Sequence, residues 1–154
     1  MSPTDPMLPL LLNTATTGML IGLIFTIQLV HYPLFAAVGE AAWPAYAGAH
    51  ARRIGVLVVP WMALEAASAL WLVAAPPPGA APGLLWLALA LLVAIWLLTA
   101  LVNGPRFSRL AAAWSADGHR GLVLANWPRT VLWTARGALL LLLLARSLHD
   151  RVTT

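Results

Sequence analysis

Four long apolar segments dominate this chain, and they lie at about residues 8–30, 54–75, 84–102 and 127–148. An α-helix rises about 1.5 Å per residue, so each segment is long enough to cross a hydrocarbon layer of about 30 Å. Only 9% of the 154 residues are charged, against roughly 25% in soluble domains. We therefore predict an all-α, polytopic membrane protein: a single four-helix transmembrane domain over residues 1–154.

The arginines of the chain predict its orientation in the membrane. Five of them follow the first and third apolar segments, namely Arg52, Arg53, Arg106, Arg109 and Arg120. The opposite side carries only Arg146 and Arg151. By the positive-inside rule, both basic connections are cytoplasmic and both termini lie on the outer face. Arginines beside apolar segments indicate membrane topology, so we expect no nucleic-acid partner. The chain has no cysteine, which excludes disulfides and thiolate metal ligands.

Prolines, glycines and capping residues predict where the helices begin and end. We expect His31-Tyr32-Pro33 to stop the first helix and Asn103-Gly104-Pro105 to stop the third, because a residue before proline disfavours helical geometry. Pro44 suits the first turn of a helical lead-in to the second span, and Pro60 is expected to kink that span. Short interfacial helices are predicted in both basic connections. Ser108 would cap the second of these, Gly118 and Gly121 would break it, and Asn126 would cap the fourth span.

One stripe of the fourth span carries most of its polar character. Asn126, Arg129, Trp133 and Arg136 fall within about 80° on an ideal helix. Charged side chains at bilayer depth are rare and usually have a partner. Glu65 lies at a depth similar to that of Arg136, so we expect the two to face each other inside the bundle.

The ends of the spans place further polar residues at the cytoplasmic side, where they predict a pocket floored by Glu65 and Arg136. The expected catalytic residues are Glu65 and His31, and the expected metal ligands are His31, His50 and Glu65, since imidazoles and a carboxylate bind transition metals. Two imidazoles can also ligate haem iron. The expected cofactor-binding residues are Gln28, His50, Asn126, Arg129, Trp133 and Arg136.

Each of these residues also has a purely structural interpretation. In this interpretation, Glu65 and Arg136 form an ion pair whose only role is to stabilise the fold. His31 and His50 are then interfacial or hydrogen-bonded histidines. Arg129 can extend to the interface and keep its charge in water. Gln28 and Asn126 can hydrogen-bond across helices.

Two motifs carry a resemblance. They are Gln28-x-x-His31-Tyr32-Pro33-Leu34-Phe35 and Asn126-Trp127-x-Arg129-Thr130-x-x-Trp133-x-x-Arg136. With the segment 60–65, they resemble a group of small bacterial four-span membrane proteins of unassigned function, which implies a location in the bacterial inner membrane. That group has a second histidine where this chain has Ala47, which weakens a site with several histidines. More distantly, the length, the four spans and the arginine-bearing last helix are similar to the anthrone-oxygenase-like membrane family. This similarity implies an oxidoreductase acting on a lipophilic, quinone-like substrate.

Three functions are compatible with these features. The first is a membrane-embedded oxidoreductase or cofactor protein that holds a transition metal or haem and acts on a lipophilic small molecule. The second is a proton-coupled transporter that works as a homodimer through Glu65. The third is a non-catalytic subunit of a membrane complex.

Overall fold

Four long helices build the structure, a computed structural model that describes residues 5–153. They are α1 (Leu8–Ala37), α2 (Trp43–Ala74), α3 (Pro82–Ala112) and α4 (Ala116–Thr153). All four are long and apolar enough to cross a membrane. No strand occurs among residues 5–153. The predicted all-α bundle of four transmembrane helices is confirmed.

Two of these helices contain a π-helical turn near one end. In α1 the π-turn covers Ile27–His31, and in α3 it covers Thr99–Asn103. Both helices then continue past a proline, Pro33 in α1 and Pro105 in α3, so the predicted ends are wrong. A proline within an α-helix lacks one hydrogen bond and clashes with the carbonyl four residues earlier. A π-turn widens the helix just before the proline, and this wider turn absorbs both effects.

The lead-in to the second span is helical, as predicted. It begins at Trp43, has Pro44 in its first turn, and continues without interruption into the span, with Pro60 inside the same helix. The indole Nε1 of Trp43 donates a 2.6 Å hydrogen bond to the carbonyl of Leu110. This bond fixes the start of α2 against the end of α3.

Helix α4 begins eleven residues earlier than predicted. The Oγ of Ser115 accepts the backbone N–H of Gly118 at 3.1 Å, so Ser115 caps the helix in place of Asn126. Gly118 and Gly121 lie inside α4 and do not break it. A glycine costs about 1 kcal/mol in a helix, and burial of the adjacent Leu122 offsets this cost. Ser108 is not a cap either, since it is an exposed residue within α3.

The neighbouring helix pairs are α1–α2, α2–α3, α3–α4 and α4–α1. Helices α2 and α4 therefore lie diagonally across the bundle. Arg151 donates a 2.7 Å hydrogen bond to Asp5, which joins the two chain ends and lowers the pKa of the Asp5 carboxyl below its ordinary value. We call this the termini end. The other end, with Arg52, Arg53, Arg106, Arg109 and Arg120, is the basic end.

Candidate functional site

Glu65 and Arg136 meet at the centre of the bundle, as their matched depth predicted. The Nη1 of Arg136 donates to the Oε1 of Glu65 at 2.6 Å, and both side chains are 0% exposed. The two helices that carry them are diagonal, so this bond spans the bundle axis. An ion pair without access to water requires further hydrogen bonds to offset its desolvation.

Those further bonds come from all four helices. From α1, Thr17 bonds both Glu65 (2.7 Å) and Arg136, while the Oδ1 of Asn13 accepts from the Nη2 of Arg136 at 2.8 Å. The Nε of Arg136 donates to the carbonyl of Ala88 in α3 at 3.0 Å. Asn13 also donates to the carbonyl of Glu65 and to Ser68 in α2, at 2.9 and 2.8 Å. We call this set the central lock.

The central lock is saturated. Within the part of the chain that the structure describes, every buried side-chain nitrogen and oxygen of the lock has a hydrogen-bond partner. Neither Glu65 nor Arg136 lines the cavities at the basic end. The pair is enclosed by its own hydrogen-bond partners, and its expected place at the floor of a pocket stays a prediction. Its arrangement is that of a group that holds four helices in register.

Three residues of the central lock were not predicted as site residues from the sequence. Asn13 and Thr17 stand four residues apart in α1, so they share a face, and Ser68 follows Glu65 by three residues in α2. A polar i, i+4 pair in an apolar segment is a usable signal for such a face. The choice of partner, however, depends on which helices are neighbours.

Gln28 and Asn126 bond each other across α1 and α4. The Nδ2 of Asn126 donates to the Oε1 of Gln28 at 2.8 Å, and Gln28 donates to the carbonyl of Val123 at 3.2 Å. Both side chains are buried, and neither lines the cavities at the basic end. This geometry fits the structural interpretation of the two amides, and their role in binding a cofactor stays a prediction.

His31 and His50 lie side by side at the basic end. Their ring centroids are 5.8 Å apart, and Phe35 packs edge-on against His50. Both histidines line one cavity of about 290 Å³. Glu65 does not join them, since its carboxylate is held in the central lock. Across residues 5–153, no group of three or more His, Asp or Glu side chains is placed to hold a metal ion.

Arg129 is the unexpected feature of the molecule. Only 8% of the residue is exposed, so most of its side chain is buried. Its Nε is buried without a partner, and the guanidinium makes no hydrogen bond or ion pair with any residue from 5 to 153. The centroid of the Trp133 ring lies 5.5 Å from the Cζ of Arg129.

A cavity of about 290 Å³ lies next to Arg129, between α2 and α3. We call it the Arg129 chamber. The π-turns of α1 and α3 border it through Ile27, Thr99 and Asn103, and π-turns are frequent at functional sites. Its polar lining residues are Tyr32, His50, Thr99, Asn103 and Arg129.

The polar groups of this chamber are largely unused. The Oδ1 of Asn103, a residue 2% exposed, is buried without a hydrogen-bond partner, as is the Nε of Arg129. Two unsatisfied buried groups beside one cavity are unusual in a native structure. None of the described residues that line the chamber carries a carboxylate. The chamber therefore offers one uncompensated positive charge and one free acceptor.

Trp133 separates the chamber from the central lock. Its Nε1 lies 3.4 Å from both carboxylate oxygens of Glu65, while its ring lies beneath Arg129. Trp133 is itself 1% exposed. The sequence predicted that Trp133 and both arginines share one stripe of the helix. In the structure, Arg136 on this stripe is fully hydrogen-bonded, whereas Arg129 has no hydrogen-bond partner in the described chain.

The sequence analysis assigned both Asn103 and Tyr32 to helix ends, so it did not predict that they line one chamber. The sequence feature that could have indicated the chamber is the pair of prolines, Pro33 and Pro105, because a π-turn precedes each of them. No protein-family model, curated protein or solved structure matches this chain.

Proposed function

We propose that this integral membrane protein binds a lipophilic acid in the Arg129 chamber. The observation that carries the proposal is the guanidinium of Arg129, whose Nε is buried, which has no hydrogen-bond partner in the described chain, and which lies beside a cavity. An isolated charge inside a membrane protein is expensive and marks a functional site by default. A carboxylate, phenolate or phosphate supplies the missing counter-charge and matches the planar donors of arginine.

The rest of the lining supports a ligand with an apolar body. Ile54, Val58, Val59 and Met62 of α2 border the chamber, and Val59 is 63% exposed on a helix surface that faces lipid. A ligand dissolved in the bilayer can therefore enter from the side. The Oδ1 of Asn103 suits a hydroxyl or a protonated oxygen on the same headgroup.

Among the functions expected from the sequence, this proposal favours the oxidoreductase over the transporter. A transporter that works through Glu65 requires a carboxylate free to exchange protons, and the buried carboxylate of Glu65 accepts hydrogen bonds from Thr17, Trp133 and Arg136. An oxidoreductase acting on a quinone-like phenol remains compatible, because a phenolate is a lipophilic acid. The similarity to small bacterial four-span proteins and to the anthrone-oxygenase-like family supports this version, with His50 and Tyr32 as the groups beside the ligand.

The orientation is part of the proposal. The five arginines of the basic end support a cytoplasmic location for it in a bacterial inner membrane. Both termini then lie on the outer face, and the Arg129 chamber lies in the cytoplasmic half of the bilayer.

Binding of naphthalene-2-carboxylate to the protein in phosphatidylcholine nanodiscs tests the proposal. This probe is a compact lipophilic acid, and naphthalene-2-methanol is its neutral counterpart. By calorimetry, the acid should bind at least about tenfold more tightly than the alcohol, since a charge-assisted hydrogen bond contributes about 1.5–3 kcal/mol. Arg129→Gln should remove this preference.

Arg109→Gln is the matched control, because Arg109 is an exposed arginine of the same end. It removes the same formal charge and leaves partitioning of the acid into the nanodisc unchanged. Equal binding by wild type, Arg109→Gln and Arg129→Gln would show that the acid does not occupy the chamber, and would refute the proposal.

A further inference from the structure

A second cavity continues the seam between α2 and α3 toward the termini end. Its volume is about 370 Å³, and its lining includes Ala66 and Leu70 of α2 with Val93, Leu97 and Ala100 of α3. Every lining residue is apolar. We call it the seam groove.

The seam groove begins where the Arg129 chamber ends. On α2 the chamber reaches Met62 and the groove starts one helical turn later, at Ala66. On α3 the chamber includes Thr99 and the groove includes the next residue, Ala100. The two cavities therefore follow each other along one seam, with all the polar lining at one end and only apolar lining at the other.

We infer that the ligand is a single-chain amphiphile whose acidic headgroup occupies the Arg129 chamber and whose hydrocarbon tail lies in the seam groove. This inference rests on the proposed function and names its ligand class. Charge complementarity sets the headgroup, because the guanidinium of Arg129 lacks a counter-charge. The continuity of groove and chamber sets the position of the tail.

The shape of the seam favours a ligand with one hydrocarbon tail over a ligand with two. The groove lies between two helices, and its lining residues on α2 follow those of the chamber along the same helix. A tail in the groove also covers Leu92, Val93 and Leu97 of α3, of which Val93 and Leu97 are about half exposed. Residues 66–100 line one groove of this kind in the described part of the chain, so the second chain of a diacyl lipid would lie outside it.

Groove-filling substitutions test the inference. In nanodiscs, Ala66→Phe should weaken binding of hexadecanoate at least tenfold and change binding of the tailless naphthalene-2-carboxylate less than twofold. Ala67→Phe is the matched control, since Ala67 is exposed and lies outside the groove, and it should change neither affinity. Val93→Trp fills the groove from α3 and should reproduce the pattern of Ala66→Phe.

The outcomes separate this inference from the proposed function. If Arg129-dependent binding of naphthalene-2-carboxylate persists while neither groove variant weakens hexadecanoate, the tail does not lie in the groove and the inference fails alone. Equal weakening of both acids by both groove variants overturns it as well. Dihexadecanoyl phosphatidate is the third ligand, and tighter Arg129-dependent binding of this diacyl acid than of hexadecanoate would overturn the single-chain assignment. Loss of all Arg129 dependence refutes the proposed function itself.

Discussion

Arg129 and Arg136 stand two helical turns apart on the same face of α4, about 10.5 Å along its axis, yet their surroundings are opposite. Arg136 bonds a carboxylate, a hydroxyl, an amide and a backbone carbonyl. Arg129 is nearly as buried and makes no hydrogen bond within residues 5–153. Arg136 is thus bound by polar groups of the chain itself, and Arg129 is the arginine that we propose as the ligand-binding residue.

Substitution of Arg136 should destabilise the protein severely. Arg136→Met leaves the Glu65 carboxylate buried without its counter-charge and the Oδ1 of Asn13 without its donor. Removal of one partner from a buried pair costs about 3–5 kcal/mol. The measurement is the free energy of unfolding in mixed detergent–dodecyl sulfate micelles. Arg146→Met, at an exposed position of the same helix, should change it by less than about 0.5 kcal/mol. A wild-type stability for Arg136→Met would contradict the central lock.

Substitution of Arg129 should have the opposite effect on stability. Arg129→Met removes an unpaired buried charge, and the relieved desolvation exceeds the lost contact with the Trp133 ring, which contributes about 0.5–2 kcal/mol. The free energy of unfolding should therefore stay the same or rise in the ligand-free protein under the same micelle conditions. A loss comparable to that of Arg136→Met would show that Arg129 is a structural residue.

The Gln28–Asn126 bond should couple α1 and α4 modestly. Hydrogen bonds between transmembrane helices contribute about 0.6–2 kcal/mol. In a double-mutant cycle of Gln28→Leu and Asn126→Leu, the coupling energy should fall in that range. Binding of naphthalene-2-carboxylate should remain within twofold of wild type in both single variants. If either variant lost that binding while its fold stayed intact, Gln28 and Asn126 would belong to the ligand site, as the sequence predicted.

The proposed orientation predicts which cysteines a membrane-impermeant maleimide can reach. The chain has no cysteine of its own, so single substitutions report cleanly. Thr153→Cys at the termini end should react in right-side-out vesicles, and Ser115→Cys at the basic end should react only in inverted vesicles. The reverse labelling pattern would place the basic end outside.

Hydropathy alone predicted the four helices, because each apolar segment has only one favourable way to satisfy its backbone in lipid. The contact of Glu65 with Arg136 followed from counting residues to equal depth. The π-turns before Pro33 and Pro105 were missed, because an X-Pro sequence indicates a helix end equally well. The burial of Arg129 was missed for another reason. Whether an arginine reaches water depends on the side chains of neighbouring helices, and the α4 sequence does not contain them.

The measurement that tests the central claim most directly is a crystal structure of the protein with 16-bromohexadecanoate bound. We predict that the carboxylate lies about 3 Å from the guanidinium of Arg129, with the bromine, located by its anomalous signal, in the seam groove between Val93 and Leu70. A carboxylate bound at Arg129 with the bromine elsewhere would contradict only the position of the tail. A fully occupied ligand whose carboxylate lies away from Arg129 would contradict the claim that this arginine is the ligand-binding charge of the protein.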